Sequence, residues 1–327
     1  MKPFTSITHR LISCILVSTG LIGSSFAFAA QSYPERPIRL VVPSAPGGSP
    51  DLISRLIAPK LSEILGQSVV VENQSGAAGI IGTQYVAHAK PDGYTLLYGF
   101  NQVATMNPPL YPKLSYNPEK DLAPIGLTLN LSYVWIAPPE FKAKTMKELV
   151  AMSKADPGSV NYASTGYGSA AHLGGILVEK QADIKMLHVP YKGNTTADLL
   201  ANVVQLKLDP VAAAIGLIKS GRVHALAVSS PKRSPQLPNV PTVAETLPGY
   251  EVVGWQGMWA PAGTPEPIIT KLNAAMVKVI KMPEIQKRIE DLGYEPLGTT
   301  PKVMADRIKK ETAEWTKVIK DANIKLD

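Results

Sequence analysis

Two short stretches carry most of the chemistry this sequence offers. One runs Val42-Pro43-Ser44-Ala45-Pro46-Gly47-Gly48-Ser49-Pro50-Asp51 after the apolar run Ile38 to Val42. The other runs Ala163-Ser164-Thr165-Gly166-Tyr167-Gly168-Ser169-Ala170-Ala171-His172 after Val160 to Ala163. Each reads as a strand leading into a helix. At such a junction the first helical turn has amide N–H groups without partners, and the aligned peptide dipoles leave partial positive charge there. An anion is then held without any lysine. Two such loops in one chain point to a molecule with one or two carboxylates gripped from opposite sides.

The first loop's Ser44, Ala45, Pro46, Gly47, Gly48 and Ser49 offer mainly backbone donors, and the small residues let a ligand come close. Gly47-Gly48 reads equally well as a plain tight turn. In the second loop Ser164, Thr165 and Ser169 add hydroxyls to the amides around Gly166 and Gly168. His172 follows one turn on, as a ligand contact or as a core histidine. Asn101 and Tyr191 join the candidate set, Tyr191 in a third strand-to-helix stretch, Tyr191 to Thr196. Asp209 is a candidate because it ends a predicted strand, and ligands of open α/β sheets lie beyond the carboxyl ends of strands. Asp51, in the first turn of its helix, is read as structural.

Other chemistries lack their residues. Ser169 and His172 sit too close along one helix start to be assigned as a nucleophile and base, and the sequence implies no third group. The histidines His88, His172, His188 and His224 show no i, i+3 or i, i+4 pairing of the kind zinc needs. No Walker lysine follows Gly47-Gly48, and no complete Gly-x-Gly-x-x-Gly follows the first strand. No metal and no cofactor is therefore expected.

The elements that position these loops follow from periodicity. Lys2 and Arg10 precede an apolar run from Leu11 to Phe28 that ends in Ala27-Phe28-Ala29, the pattern of an export signal over residues 1–29. Its removal takes away two bases and no acid, leaving a mildly basic chain with scattered charge and no nucleic-acid footprint. The single cysteine, Cys14, leaves with it, so disulfides and thiol chemistry are excluded and an oxidising compartment suits the remainder.

Strand-length apolar runs alternate with amphipathic stretches, which predicts an α/β chain on largely parallel sheets. Helix Asp51 to Leu65 is expected to be capped by Ser49 and stopped by Gly66. Further strands are expected at Val69 to Glu72, Tyr94 to Tyr98, Val134 to Ala137, Val160 to Ala163, Met186 to Val189, Val204 to Leu208 and His224 to Val228. Proline-rich stretches before Asn130 and over Pro231 to Gly249 read as irregular crossings. They place a first lobe at 30–131 plus 249–327 and a second at 132–248, with the closing helices packed on the first lobe. Trp255 and Trp259 read as packing residues.

The ordered set of segments resembles the periplasmic receptors of tripartite tricarboxylate transporters, the Bug family. It includes Val42-Pro43 with Pro46-Gly47-Gly48, Asp51 and Arg55; Val70-Val71-Glu72-Asn73; Pro91-Asp92-Gly93-Tyr94; and Asn161-Tyr162-Ala163-Ser164 with Gly168-Ser169 and His172-Leu173. His188-Val189-Pro190-Tyr191-Lys192-Gly193, Pro248-Gly249-Tyr250-Glu251 and Ala260-Pro261-Ala262-Gly263-Thr264-Pro265 complete it. The resemblance implies a two-lobed periplasmic-binding-protein fold of the Venus flytrap, type II-like kind with a cleft between lobes. It implies a monomeric periplasmic receptor, not an enzyme, that captures a small organic acid, a di- or tricarboxylate or an aromatic acid, and hands it to the membrane subunits of such a transporter. Ser44 stands where the family usually has an aromatic residue, which leaves room for a bulkier acid. Asn194-Thr195-Thr196 and Ala201 to Gln205 also depart from the family pattern. Two rival readings remain: an enzyme with Ser169 or Thr165 as nucleophile and His172 as base, and a sensor that presents its ligand to a signalling protein.

Overall fold

The computed structural model describes residues 33–191, 195–324 and 326. The export signal read over residues 1–29 lies outside the described residues, as do Lys192, Gly193 and Asn194 of the third junction. Met1–Tyr33 and Pro34–Asp327 separate as two units, and the described strands and helices all belong to the second.

The chain runs β1 (Ile38–Val42), α1 (Ser49–Leu65), β2 (Val69–Asn73), α2 (Ile80–Ala87) and β3 (Thr95–Phe100). A π-helical turn (Gln102–Met106) continues into α3 (Asn107–Leu110), followed by α4 (Pro118–Asp121) and the long β4 (Leu122–Ala137). Next come α5 (Met146–Ala155), β5 (Asn161–Ser164), α6 (Ala170–Ala182), β6 (Leu187–Pro190), α7 (Thr196–Leu200), β7 (Leu206–Pro210), α8 (Val211–Lys219) and β8 (His224–Val228). The chain closes with β9 (Val253–Pro261), α9 (Glu266–Ile280), α10 (Pro283–Asp291), β10 (Glu295–Pro296) and α11 (Pro301–Asp321).

Strand pairing falls into two groups that share β4. In the first, β1 lies parallel between β2 and β3, β9 runs antiparallel to β3, and β4 pairs with β9 from Leu122 to Ser132. From Tyr133 onward β4 instead pairs antiparallel with β7 and β8, while β5 lies parallel between β7 and β6. The chain re-enters the first group at Val253, opposite Ser132. Both groups therefore combine parallel strand–helix–strand units with an antiparallel crossing strand.

Six of the seven strands predicted after the first lie within two residues of their observed ends, and the seventh, Val134 to Ala137, forms only the tail of β4. The first half of β4 and all of β9 were not anticipated. Pro124 and its neighbours read as irregular because the β4–β9 register shifts between Pro124 and Gly126, so a strand tolerates a proline there. In β9 every residue from Gly254 to Pro261 is buried, so no alternation of polar and apolar positions marks it.

Helix ends explain how the loops are set. Gly66 stops α1 in the left-handed conformation (φ 73°), donating its N–H to Ser62 O at 2.9 Å, as expected. The expected Ser49 cap is not formed. Gly48 occupies the cap position in an extended conformation, Ser49 is the first helical residue, and its hydroxyl instead accepts from Gln256 Nε2 at 2.7 Å. At α6 the cap is Ser169, whose Oγ accepts the His172 N–H at 3.3 Å. Two glycines then let α6 lie against the second sheet. A Cβ at Gly174 would come within 2.6 Å of Leu208, and one at Gly175 within 2.3 Å of the Tyr162 ring.

The closing helices divide their contacts. α9 and α10 pack on α1, and α9 also meets β4. α11 packs on β4 but reaches α6 as well, carrying Trp315 and Ile319 into the core of the second strand group.

Candidate functional site

A cavity of about 320 Å³ lies between the two strand groups and is lined from both. Ser44 and Ser49 of the first loop reach it, with Asn101 from the turn after β3 and Gln256 from β9. From the other side come Ser164, Thr165 and Ser169 of the second loop, with Lys207 and Asp209 from β7. Phe100, Met106, Leu131, Tyr133 and Trp255 give it an apolar wall. Both loops singled out in the sequence thus open into one space. A larger surface groove of about 800 Å³ beside Arg36 and Arg39 lies away from both loops. Its two arginines are already engaged, Arg39 forking onto Glu72 at 2.9 and 2.6 Å and Arg36 meeting Asp92 at 3.0 Å.

The first loop is held by a buried carboxylate. Asp51, 3% exposed, accepts the Gly47 N–H at 2.9 Å through Oδ2, and Arg55 Nε and Asn73 Nδ2 at 2.9 Å each through Oδ1. Asn73 also donates to Ser44 O at 3.1 Å, which ties the loop to the end of β2. Burial alone would raise the carboxyl's pKa, but the bonds from Gly47, Asn73 and Arg55 outweigh it and hold the group below the usual carboxylate range. The structural reading of Asp51 stands. Its consequence is that the Gly47 amide is engaged, and Gly48 N–H turns back to Ala45 O at 3.3 Å. Ala45, Pro46 and Gly47 are exposed and do not line the cavity, and neither does Gly48. The residues of this loop that line the cavity are instead Ser44 and Ser49. Ser44 Oγ is buried with no hydrogen-bond partner, and so is Gln256 Oε1.

The second loop is held by neutral groups. Ser164 Oγ accepts the Gly166 N–H at 3.0 Å and lies 2.6 Å from His188 Nε2. Ser169 donates its hydroxyl to Gly166 O at 2.7 Å, and Gly168 N–H donates to His172 Nδ1 at 3.0 Å. His172 and His188 stack with ring centroids 4.1 Å apart, and Tyr167 meets both edge-on at 5.2 and 5.1 Å. Burial lowers the pKa of both imidazoles to about 4, with mutual repulsion adding to the effect at His172. An acceptor Nδ1 on His172 already requires the neutral ring. His172, Gly166, Gly168 and Tyr191 do not line the cavity. With the Gly166 and Gly168 amides engaged, the donors nearest the cavity are Thr165 and the first-turn amides of α6. Ala170 and Ala171 line the space, and helix geometry gives their N–H groups no partner within α6.

Three contributors escaped the sequence reading. Gln256 comes from the unanticipated β9, and Trp255 beside it was read only as packing. Lys207 was legible. In Leu206-Lys207-Leu208-Asp209 the alternation puts Lys207 on the same face as Asp209, and their side chains form a 3.1 Å ion pair at 9% and 11% exposure. Burial raises the Asp209 pKa, and Lys207 offsets part of that rise. Among the described residues no group of three or more His, Cys, Asp or Glu is placed to hold a metal ion.

Residues 53–324 match the family model described as tripartite tricarboxylate transporter family receptor. The chain belongs to this family. The receptor is 34% identical to Protein BugT of Bordetella pertussis over 321 residues, covering 97% of this chain and 98% of that protein. Among solved structures it is similar to an R. palustris protein with adipate, at 34% identity and a TM-score of 0.79, covering 90% of this chain and all of that one. It is also similar to MatC from Rhodopseudomonas palustris with bound malate, at 33% identity and a TM-score of 0.75, covering 88% of this chain and all of that one. The fold is accordingly the two-lobed periplasmic-binding-protein fold, and the match places the chain among receptors and not enzymes.

Proposed function

We propose that this receptor captures a small organic acid in the cavity between its loops and delivers it to the membrane subunits of a tripartite tricarboxylate-type transporter. The observation that carries the reading is the shared cavity: Ser44 and Ser49 line one wall, the start of α6 the other. In this reading the Ala170 and Ala171 amides and Thr165 hold a carboxylate, while Ser44, Ser49 and Asn101 hold the rest of the acid from the first lobe. Hydrogen bonds to a charged group contribute about 1.5–3 kcal/mol each, so four give about 6–12 kcal/mol before ordering costs. That is compatible with a micromolar Kd, near −8 kcal/mol. The lobes are 30–131 plus 249–327 and 132–248, and closing them around the acid removes water and completes the site. Residues 1–29 are an export signal, the mature monomer works in the periplasm, and no helix among the described residues is long and apolar enough to cross a membrane. The likeness to structures holding adipate and malate supports a carboxylate as the ligand class.

A thermal-shift and calorimetric panel of mono-, di- and tricarboxylates, aliphatic and aromatic, tests this on the mature chain. A micromolar acid recovered unaltered after prolonged incubation is the expected result. Turnover of the acid, or no binding across the panel, overturns it.

A further inference from the structure

The proposed cradle is made of uncharged groups, yet the cavity wall also holds one cation and one carboxylate, Lys207 and Asp209, and among the described residues these are its only charged lining residues. They project from the same face of β7, and a strand holds such i, i+2 side chains side by side. Lys207 Nζ has three donors. One reaches Asp209 Oδ2 at 3.1 Å and a second Thr196 Oγ1 at 3.3 Å, which leaves one donor without a partner among the described residues. β7 adjoins β5, with Lys207 opposite Ala163, and Lys207 lines the same cavity as the loop that starts α6. A carboxylate at the α6 start is therefore within the reach of a lysine side chain. It also meets the repulsion of Asp209, unless the ligand turns a hydrogen-bond donor toward that oxygen.

We infer that Lys207 and Asp209 form a two-signed specificity subsite that selects acids carrying a hydroxyl or ammonium donor next to the carboxylate bound at the start of α6. Lys207 takes the carboxylate and Asp209 takes the neighbouring donor. An acid lacking that donor leaves Asp209 facing like charge in a desolvated wall, which is a loss rather than a neutral change. A buried site built to pair a donor rejects the analogue without it more strongly than an apolar pocket rejects a missing methylene. This inference rests on the carboxylate reading above.

Calorimetry with a matched series tests it: succinate, malate and aspartate, which differ only by no donor, a hydroxyl or an ammonium at one carbon. The wild-type chain is expected to bind at least one donor-bearing acid tenfold or more tightly than succinate. Asp209→Asn should erase most of that ratio, and Lys207→Met should weaken every acid in the series tenfold or more. Because Lys207→Met leaves Asp209 buried without its partner, the neutral pair Lys207→Met with Asp209→Asn is measured alongside, with circular dichroism to show that it folds. Equal affinity for all three acids, or unchanged affinities in the folded double variant, overturns the subsite while carboxylate binding stands. Absence of binding by the wild type to every acid in the wider panel instead overturns the carboxylate reading itself.

Discussion

The two loops share a strand–loop–helix plan but are locked by opposite means. The first hangs on a charge: Asp51 gathers Gly47, Arg55 and Asn73, and α1 begins with no side-chain cap. The second hangs on neutral hydroxyls and imidazoles, with Ser169 capping α6 and His172 and His188 stacked behind it. A receptor for anions gains from this arrangement. The carboxylate that fixes the first loop does not line the cavity, and the neutral groups that fix the second add no charge of their own near the α6 start. The two loops should consequently respond differently to acid, to loss of a carboxylate and to loss of a cap.

Acid gives the largest separation. His172 and His188 have folded pKa values near 4 against an ordinary value near 6.5, so burial disfavours their charged forms. The unfolded chain binds more protons between those limits, and the stability from the neutral pair is full above pH 6.5 and is lost progressively as pH falls toward 4. Each imidazole contributes a slope of up to about 1.4 kcal/mol per pH unit in that window. Protonating His172 Nδ1 would also break the bond from Gly168. Asp51 also loses its contribution on acidification, but in a lower window: its folded pKa lies below the ordinary 3.8, so its contribution is full above that value and is lost only as pH falls below it. Urea unfolding at pH 7 and pH 5 should show a marked loss, and a His172→Gln, His188→Gln variant should flatten it. Some slope remains, because His224 is also lowered by burial. Hydrogen exchange should report opening of residues 164–171 before residues 43–51; simultaneous opening would erase the contrast.

Most of the fold was legible because it rests on local periodicity, and what was missed rests on long-range pairing. Ile38 to Val42 and the helix after it announce themselves by apolar spacing. β9 does not, since it is buried on both sides between β3 and β4 and shows no alternation. Gln256 therefore could not be joined to Ser49, 207 residues away in sequence, before the sheet was known. The candidate loops were legible as strand-to-helix junctions, but not which of their donors stay open. Gly47, Gly166 and Gly168 are engaged through Asp51, Ser164 and His172, and only tertiary structure decides that.

Removing the charge that anchors the first loop comes next in size. Asp51→Ala leaves three donors without their acceptor. Arg55 is 53% exposed and rehydrates at little cost, so the loss falls mainly on Gly47 and Asn73. A destabilisation of about 2 kcal/mol is expected in urea melts, from unsatisfied donors at about 1–3 kcal/mol each. The α6 start should keep its hydrogen-exchange protection. Loss of protection at both loops would show that they are not independently anchored.

The smallest effect is also the one that separates stability from binding. Ser169→Ala removes the oxygen that accepts the His172 N–H and the hydroxyl that holds Gly166 O, and a lost cap costs about 1 kcal/mol. Ser169→Asp restores a cap acceptor, and a carboxylate at a helix start is stabilised by the helix dipole. Its thermal stability should return to within about 0.5 kcal/mol of the wild type. Yet Ser169 lines the cavity beside Ala170 and Ala171, so the new charge occupies the place proposed for the ligand's carboxylate. The Ala variant should lose modest stability and modest affinity, whereas the Asp variant should recover stability and lose acid binding by tenfold or more. If the Asp variant binds as well as wild type, the anion does not sit at the start of α6, and the neutral locking of that loop has another purpose.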